Sequence, residues 1–383
     1  MKLLVVGHTY LNPFAQKKYE AMKFLSPELR IGLVVPRRMA HVFTTYRPRR
    51  SEGFSEGEYH VVRSFLERTN MTYFLDPFSF GTLLRKFKPD RIHIEEDPHS
   101  LIGAETVFLA RMLCPRARLS FFIWDNLNRS PRFPFGPIKR FLTRYGFSRS
   151  DLVISGNREG ERLLREAKGF RGRTCVVPQI GLDPADYEGE APREILSRWK
   201  GGDSAPLIGF FGRLVPEKGL VDLMEALSGI NGVPWKMVVV GAGPLSRELE
   251  TKWKPLFGDR LRLEPPVSHR EIPGLMKVLD IFVLPSYGTP RWIEQFGLTL
   301  AQAMMAGVPC VGSSSGAIPD VMGPGGVVFR ERNVAELREA LRSLLVSPSE
   351  RARLGREGRD FALRNYTHRA VAAATLKAFG ADS

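Results

Sequence analysis

Apolar runs of strand length alternate with helical patterns along the whole chain, and this alternation limits the fold more than any other sequence feature. A strand, a helix and a second strand form a unit whose two strands lie parallel in one sheet. We therefore predict an α/β protein with mostly parallel sheets. The clearest strand-like runs are Lys2–Val6, Ile31–Val35, Arg91–Ile94, Leu119–Ile123, Leu152–Ser155, Leu207–Phe211, Lys236–Val240, Leu261–Glu264 and Ile281–Leu284.

The chain has 383 residues, which is long enough for two domains of ordinary size. Residues 183–205 loosen into acidic sequence with prolines and glycines, which is typical of a linker. We predict two facing Rossmann-like domains, residues 1–183 and 184–363, and a C-terminal helix in residues 364–383 that crosses back to the first. In doubly wound sheets, ligands bind beyond the carboxyl ends of the strands.

The positive charge is concentrated in the first half of the chain. Residues 1–183 hold 31 Lys and Arg against 18 Asp and Glu, whereas the remainder holds 25 against 23. This asymmetry indicates an anionic partner for the first half, such as a membrane, a nucleic acid or an acidic substrate. A basic surface that only keeps the protein in solution is the alternative.

Cysteine usage and hydropathy bear on the compartment. Cys114, Cys175 and Cys310 lie far apart without the spacing of a metal site, which predicts reduced thiols in a cytoplasmic protein. The apolar start of the chain is too short for a signal peptide and is interpreted as a first strand. No window approaches the roughly 18 apolar residues of a spanning helix.

The stretch from Ile281 to Asp320 carries the first candidate site. A buried strand leads into a loop that ends in Glu294-Gln295-Phe296-Gly297, and a helical pattern follows. The amides of Phe296, Gly297 and Leu298 would point at a phosphate, because the first turn of a helix leaves its N–H groups unpaired. A carboxylate such as Glu294 suits the hydroxyl groups of a sugar. A plain strand–loop–helix connection is the alternative.

Two further loops follow strands of the second half. Arg213 and Lys218 stand in GRLVPEKG, where they could neutralise a diphosphate, although two lone cations on a loop are more often solvated. VVGAGP, which contains Gly243, is a glycine-rich turn between a strand and a helix. It lacks the third glycine of the dinucleotide-binding fingerprint.

Together these segments resemble a known family. GRLVPEKG, VGAGP and PSYGTPRWIEQFGLTLAQAMMAGVPCVGSSSGAIPDVMG resemble the C-terminal domain of the group 1 (family 4) glycosyltransferases of the GT-B fold. PQIGLD, residues 178–183, is similar to the family's segment at the end of the first domain. The resemblance is strong in the C-terminal half and weak in the N-terminal half.

The resemblance implies retaining transfer of a sugar from a nucleotide-sugar, which is a co-substrate, with no other cofactor and no essential metal. Arg213 and Lys218 would bind the donor diphosphate and stabilise the leaving group, and Glu294 would bind the donor sugar; these three are the implied catalytic residues. The implied donor-binding positions are Arg213, Lys218, Gly243, Glu294, Phe296, Gly297, Leu298 and Gln302.

The sequence departs from the family pattern in two places. The family's second glutamate, which holds the ribose, is replaced by Gln302, and an amide can still accept from a ribose hydroxyl. The histidine that many members carry after the strand near Ile123 is replaced by Trp124-Asp125-Asn126. Candidates for contact with the acceptor are His8, Gln16, Glu96, His99 and Asp125, and the alternative for the histidines is a plain surface position.

A basic segment from Asn126 to Ser150 contains no acidic residue. A helix there would place Ile138, Phe141, Leu142 and Tyr145 on one stripe and Lys139, Arg140, Thr143 and Arg144 opposite. That pattern is typical of a helix on an anionic membrane surface. The alternative is a stripe that packs on the protein's own sheet.

We therefore predict a cytoplasmic glycosyltransferase, peripheral at the inner face of the membrane, with a glycan, lipid-linked or other hydroxyl acceptor. Two alternatives are a non-catalytic protein that binds anions or nucleic acid, although no nucleic-acid motif is present, and another GT-B enzyme such as a nucleotide-sugar epimerase.

Overall fold

The computed structural model describes residues 1–40, 45–127 and 135–380. The chain divides into two compact units. The first unit contains residues 1–181 together with the residues from His368 onward, and the second contains residues 182–367. The first unit is therefore built from both ends of the chain.

The first unit starts with alternating strands and helices. Its helices up to residue 181 are α1 (Pro13–Leu25), α2 (Pro77–Phe87), α3 (Leu101–Leu113), α4 (Phe135–Ser148) and α5 (Arg158–Glu166). Its strands are β1 (Lys2–Val6), β2 (Arg30–Pro36), β3 (Met39–Ala40), β4 (Thr45–Tyr46), β5 (Tyr59–Val62), β6 (Ser64–Phe65), β7 (Phe74–Leu75), β8 (Arg91–Ile94), β9 (Arg118–Ile123), β10 (Leu152–Ser155) and β11 (Arg173–Val176).

Seven of these strands form one parallel sheet in the order β11-β10-β9-β8-β1-β2-β5. The central strands β1 and β8 are buried along almost their whole length, because helices cover both faces of the sheet. β3 pairs with β4 and β6 with β7 as short antiparallel ribbons.

The second unit repeats the architecture. Its helices are α6 (Arg193–Lys200), α7 (Leu220–Ser228), α8 (Ser246–Glu248), α9 (Lys254–Phe257), α10 (Ile272–Met276), α11 (Leu298–Met305), α12 (Ile318–Met322), α13 (Val334–Val346) and α14 (Pro348–Asn365). Its strands are β12 (Leu207–Phe211), β13 (Lys236–Val240), β14 (Leu261–Glu264), β15 (Ile281–Leu284), β16 (Cys310–Ser313) and β17 (Gly326–Phe329). A π-helical turn, Leu249–Trp253, joins α8 to α9.

The six strands of the second unit form a parallel sheet in the order β14-β13-β12-β15-β16-β17. The first strand of the unit in chain order, β12, thus lies between β13 and β15. This is the strand order of a doubly wound, dinucleotide-binding fold. The predicted fold class, α/β with two domains that each contain a parallel sheet, is confirmed.

The last helix, α15 (His368–Phe379), belongs to the first unit and packs against α1. Its Phe379 ring lies 5.1 Å from the ring of His93 on β8, and the guanidinium of Arg91 lies 5.1 Å from the same Phe379 ring. Val371, Ala372 and other apolar residues of α15 join the core of the first unit. The far end of the chain therefore completes that core.

One predicted stretch differs in the structure. The predicted linker, residues 183–205, contains α6, whose Trp199 is buried and donates to Glu264 on β14. Only three of the eight residues of α6 are apolar, so its periodicity gave little signal.

The helices of this fold begin in two ways, either at a capping side chain or at a glycine. Many longer helices begin at a side chain that accepts a backbone N–H, and these caps are Asn12, Asp76, Ser100, Asn157, Asn333 and Ser347. In contrast, α7 and α11 begin at Gly219 and Gly297, which have φ of 69° and 79° and offer no side-chain cap. The first amides of α7 and α11 thus have no capping side chain.

Candidate active site

The loops that follow β12 and β15 define the first crevice of interest. The chain runs outward from β12 to β13 and β14 on one side, and it returns to β15 on the other. Adjacent loops therefore leave the sheet in opposite directions, and the gap between them is where doubly wound folds bind ligands. We call residues 212–219 and 285–297 the second-unit crevice.

Close backbone contacts fix the loop after β12. The N–H of Leu214 donates to the carbonyl of Ala242 at 2.9 Å, and the N–H of Leu245 donates to the carbonyl of Leu214 at 3.0 Å. A Cβ on Gly219 would lie 1.9 Å from the carbonyl oxygen of Pro285, so a side chain there would collide with backbone. These contacts hold Lys218, one residue earlier, against the loop after β15.

Lys218 and Glu294 form an ion pair in the second-unit crevice. Lys218 Nζ lies 2.6 Å from Glu294 Oε2, and the two side chains are 14% and 9% exposed. The hydroxyl of Ser286 donates to the same Glu294 oxygen at 3.2 Å, and Lys218 Nζ lies 4.8 Å from the centre of the Trp292 ring. A cation, a carboxylate and an aromatic face thus meet beside the start of α11.

The start of α11 completes the second-unit crevice. Gly297 adopts the left-handed conformation, and a Cβ there would lie 2.9 Å from the side chain of Leu284 at the end of β15. The helix dipole adds positive potential at this end. Open amides beside a lysine can bind phosphate oxygens, while the carboxylate can accept from hydroxyl groups.

The first unit has a crevice at the equivalent place. In its sheet β1 lies between β2 and β8, so the loops after β1 and β8 diverge. We call residues 7–12 and 95–100 the first-unit crevice. Glu96 Oε1 accepts from the backbone N–H of His8 at 2.7 Å and from the hydroxyl of Tyr73 at 2.7 Å, and it lies 2.6 Å from His8 Nδ1.

A buried network lies behind this crevice. Lys18 Nζ lies 2.6 Å from Glu95 Oε1, and both side chains are almost fully buried. The hydroxyl of Tyr19 donates to the same oxygen, and Gln179 Nε2 donates to Glu95 Oε2 at 2.8 Å. Burial raises the pKa of Glu95, but the charges and hydrogen bonds of Lys18 and His93 outweigh burial and hold this pKa below its usual value.

The rim of the first-unit crevice carries mixed charges. Burial, followed by the negative charges of Asp125 and Glu96, raises the pKa of Asp97 to about 6. Burial, followed by the positive charges of Lys139 and Lys168, lowers the pKa of His99 to about 3. Asp125 is paired with Lys168 at 2.8 Å.

Comparison with known proteins identifies a family that part of the chain matches. Residues 194–361 match the family described as "Glycosyl transferases group 1". The GDP-mannose-dependent alpha-(1-6)-phosphatidylinositol monomannoside mannosyltransferase of Mycobacterium tuberculosis is 27% identical over 353 residues, which cover 86% of this chain and 87% of that protein. The 2-deoxystreptamine glucosyltransferase of Streptomyces kanamyceticus is 26% identical over 234 residues, 59% of each chain.

Residues 194–361, which lie in the second unit, therefore form a group 1 glycosyltransferase domain. Several other curated relatives share a region that covers only about half of their own length, for example 47% and 46%. The crystal structure of Anabaena Alr3699/HepE in complex with UDP superposes with a TM-score of 0.72 at 17% identity, covering 100% of both chains, and this likeness shows the fold. The prediction of a glycosyltransferase is confirmed.

The structure brings some of the predicted donor residues together. Lys218, Glu294 and Gly297 meet in the second-unit crevice, and Gly243 lies in the loop that bonds to Leu214. Arg213 is exposed on the same loop as Lys218. Sequence reasoning treated Lys218 and Glu294 as separate ligand contacts, whereas the structure pairs them. It missed Ser286, for which the only signal was a hydroxyl directly after a strand.

Three other donor candidates have defined surroundings. The Phe296 ring packs edge-on against Tyr366 with centroids 5.5 Å apart, and Leu298 is the first residue of α11. Gln302 is buried, and its side chain bonds the hydroxyl of Tyr187. Within the described part of the chain its Oε1 has no hydrogen-bond partner.

The acceptor-side candidates separate into two groups. His8, Glu96, His99 and Asp125 lie in or near the first-unit crevice, and His8 is tied to a buried carboxylate instead of lying free on the surface. Gln16 is buried: its Nε2 donates to the carbonyl of Tyr10, which belongs to the first-unit crevice, and to that of Arg49, and its Oε1 accepts from the N–H of Ser51. Gln16 therefore secures local backbone. Tyr73 gave no sequence signal, because its contact to Glu96 is 23 residues away.

The basic segment forms helix α4, and residues 128–134, including Arg129, Arg132 and Phe133, lie outside the described residues. Ile138 and Phe141 are 58% and 67% exposed, so this part of the stripe does not pack on the sheet. Lys139 acts electrostatically on Asp97 and His99, which places it near the first-unit crevice and apart from exposed Arg140 and Arg144. Within the described residues no helix is long and apolar enough to cross a bilayer.

Proposed function

We propose that this glycosyltransferase moves a sugar from a nucleotide-sugar co-substrate to a hydroxyl acceptor, with retention of configuration at the anomeric carbon. The observation that carries the proposal is the Lys218–Glu294 pair, 2.6 Å apart beside the uncapped start of α11 at the point where the strand order reverses. A phosphate binder and a hydroxyl binder are thus neighbours, as a nucleotide-sugar requires.

The leaving group of such a reaction is a nucleoside diphosphate, which gains negative charge as the sugar departs. Lys218 and exposed Arg213 are placed on one loop to stabilise this charge, together with the first amides of α11. Glu294 then accepts hydrogen bonds from the donor sugar and orients the ammonium of Lys218. Gln302, whose Oε1 has no hydrogen-bond partner among the residues that the structure describes, is the candidate partner for a ribose hydroxyl.

For the acceptor, we propose a glycan or a lipid-linked hydroxyl compound bound by the first unit. The mycobacterial relative is a mannosyltransferase that acts on a phosphatidylinositol monomannoside, which is a glycosylated lipid. The mixed charges and hydrogen-bonding groups of the first-unit crevice suit a sugar-like head group.

A thermal-shift screen with UDP, GDP and ADP tests the donor proposal. We expect one diphosphate to raise the melting temperature, because a ligand that binds only the folded chain stabilises it by about 2.7 kcal/mol at 100 times its Kd. The corresponding nucleoside is expected to give a much smaller shift, since Lys218 and the α11 amides contact phosphate. Equal shifts from nucleoside and diphosphate, or none at all, would contradict the proposal.

We also propose that α3 and α4 contact an anionic membrane surface. A groove of about 620 Å³ between them is lined mostly by apolar side chains, among them Leu101, Phe108, Leu109, Phe141, Leu142 and Tyr145. An exposed apolar patch of this kind is typical of an interaction site. Arg140 and Arg144 are exposed beside Phe141 on α4, so cations that attract anionic lipid flank a side chain that can enter the interface.

Flotation with phosphatidylglycerol vesicles tests the membrane contact. We expect Arg140→Glu/Arg144→Glu to lower vesicle binding at least tenfold, since each basic residue near an anionic surface contributes about 1 kcal/mol. Phe141→Ser should weaken binding separately, by removing buried apolar area. Matched controls are Arg116→Glu/Arg171→Glu, which reverse two exposed charges elsewhere, and Phe24→Ser, which removes another exposed ring. If the control variants weaken binding as much as the α4 variants, this surface is not the contact.

A further inference from the structure

The side chain of His8 is held in one orientation at the carboxyl end of β1. Its Nδ1 lies 2.6 Å from Glu96 Oε1, and its backbone N–H donates to the same oxygen. Tyr73 donates a third hydrogen bond to that oxygen, and the Glu96 side chain is only 1% exposed. The loop after β8 and the loop before β7 therefore fix the Nδ1 edge of the imidazole.

The opposite edge of the imidazole faces outward. The His8 side chain is 29% exposed, and within the described residues no protein group bonds to its Nε2. Because Nδ1–H donates to the carboxylate, Nε2 carries a lone pair whenever the ring is neutral. A carboxylate behind an imidazole also makes the far nitrogen a better hydrogen-bond acceptor.

The groups near His8 indicate which class of compound could bind at its Nε2. Asp97 and His99 follow Glu96 in the same loop, and the positive charges of Lys139 and Lys168 reach both of them. Asp97 also acts electrostatically on His8. Polar groups and charges of both signs on this loop match a compound that carries several neutral hydroxyl groups. They match an apolar compound or a simple anion less well.

We propose that the first-unit crevice binds an acceptor of the polyol class, such as a sugar or a cyclitol, and that His8 Nε2 accepts a hydrogen bond from the hydroxyl group that receives the sugar. This inference rests on the proposed glycosyl transfer and adds the acceptor class and a residue that contacts the reacting oxygen. Glu96 is the positioning residue, since it acts only through His8.

The titration of His8 supports a pH-dependent role. Burial lowers the pKa of His8, but the charge and hydrogen bond of Glu96 and the charge of Asp97 outweigh burial and raise it above 6.5. Protonation below that pKa removes the acceptor lone pair, so acceptor use should fall on the acid side. The other groups facing His8 are Tyr73, whose pKa is well above 10, and Asp97, whose pKa is about 6. Asp97 therefore needs its own control.

Three variants test whether His8 contacts the acceptor or only supports the local structure. In His8→Asn the amide nitrogen can still donate to Glu96, but no atom replaces Nε2; we expect kcat/KM for the acceptor to fall roughly tenfold or more while KM for the donor stays the same. In His8→Gln an amide oxygen that does not titrate replaces the acceptor, so part of the activity should remain without the acid limb of the pH profile. Asp97→Asn should keep that limb. If His8→Asn keeps kcat/KM within threefold, or if the acid limb is lost only in Asp97→Asn, the inference is wrong.

NMR spectroscopy of His8 gives a second test that does not require enzymatic activity. We expect the imidazole NMR signal of His8, assigned with His8→Asn, to titrate above pH 6.5 in the full chain and at lower pH in Glu96→Gln. We also expect it to shift on addition of at least one probe from myo-inositol, methyl α-D-glucopyranoside and octyl α-D-glucopyranoside. A signal that none of these probes shifts contradicts the inference. Thermal stabilisation by the nucleoside diphosphate is measured in the same samples. If the diphosphate stabilises the protein but no probe shifts the His8 signal, only the inference fails. If the diphosphate does not stabilise the protein, the proposed function fails.

Discussion

Replacing Glu294 with alanine is expected to lower the rate of sugar transfer roughly 10²- to 10³-fold. The alanine variant loses the acceptor for donor hydroxyls and leaves Lys218 without the carboxylate that lies 2.6 Å from it. Both changes act on the transition state, in which charge develops on the leaving group. The measurement is kcat/KM with the nucleotide-sugar identified in the thermal-shift screen.

The Glu294 prediction has a local control and a coupling test. Glu331 accepts from the N–H of Gly288 at 2.7 Å in the same loop region, and Glu331→Ala should cost only a few-fold. Lys218→Met should slow transfer about as much as Glu294→Ala, and the double variant should lose little more, because residues that act as a unit are not additive. If the alanine variant retains transfer within tenfold, Glu294 has no role in the reaction.

Replacing Lys18 with methionine is expected to lower the free energy of unfolding by about 3–5 kcal/mol. This is the cost of leaving Glu95 buried without its counter-charge, since Lys18 and Glu95 are both almost completely inaccessible to solvent. Burial lowers the pKa of Lys18, and the carboxylate of Glu95 opposes that change. Urea denaturation at neutral pH measures the loss.

A lysine on the same helix provides the comparison. Lys23 pairs with Glu58 at 2.8 Å, but each side chain of that pair is 28% exposed, so Lys23→Met should cost less than about 1 kcal/mol. The double variant Lys18→Met/Glu95→Gln should recover part of the loss, because it removes both charges from the interior. Equal effects of Lys18→Met and Lys23→Met would show that burial of the pair is unimportant for stability.

The second unit was predictable from its sequence because its signals are local. Gly219 and Gly297 each stand at the start of a helix that follows a strand, and Lys218 and Glu294 lie within three residues of these glycines. The alternation of strands and helices predicted the parallel sheet, and the structure added the strand order. What the sequence could not provide was the pairing of Lys218 with Glu294, because 76 residues separate them.

The first unit was harder to interpret because its polar groups meet across long stretches of chain. Glu95 is bonded to Lys18 and Gln179, which are 77 and 84 residues away, and no periodicity links such positions. Gln16 was a reasonable candidate for a ligand contact, yet its amide bonds backbone groups of a neighbouring loop. Helix α6 was missed because its sequence is mostly polar, and Trp199 is its only buried residue.

The second unit departs from and rejoins the first through neighbouring residues. Leu182 pairs with Thr367 in a parallel bridge, and its N–H donates to the carbonyl of Tyr366 at 2.7 Å. Residues 182–367 are thus a contiguous insert whose two ends lie side by side. A gene segment that encodes such an insert can be exchanged between relatives at two junctions that lie side by side in the folded protein. One half of the molecule can then diversify without disturbing the hydrophobic interior of the other. The reverse exchange is not available to residues 1–181, which leave α15 behind.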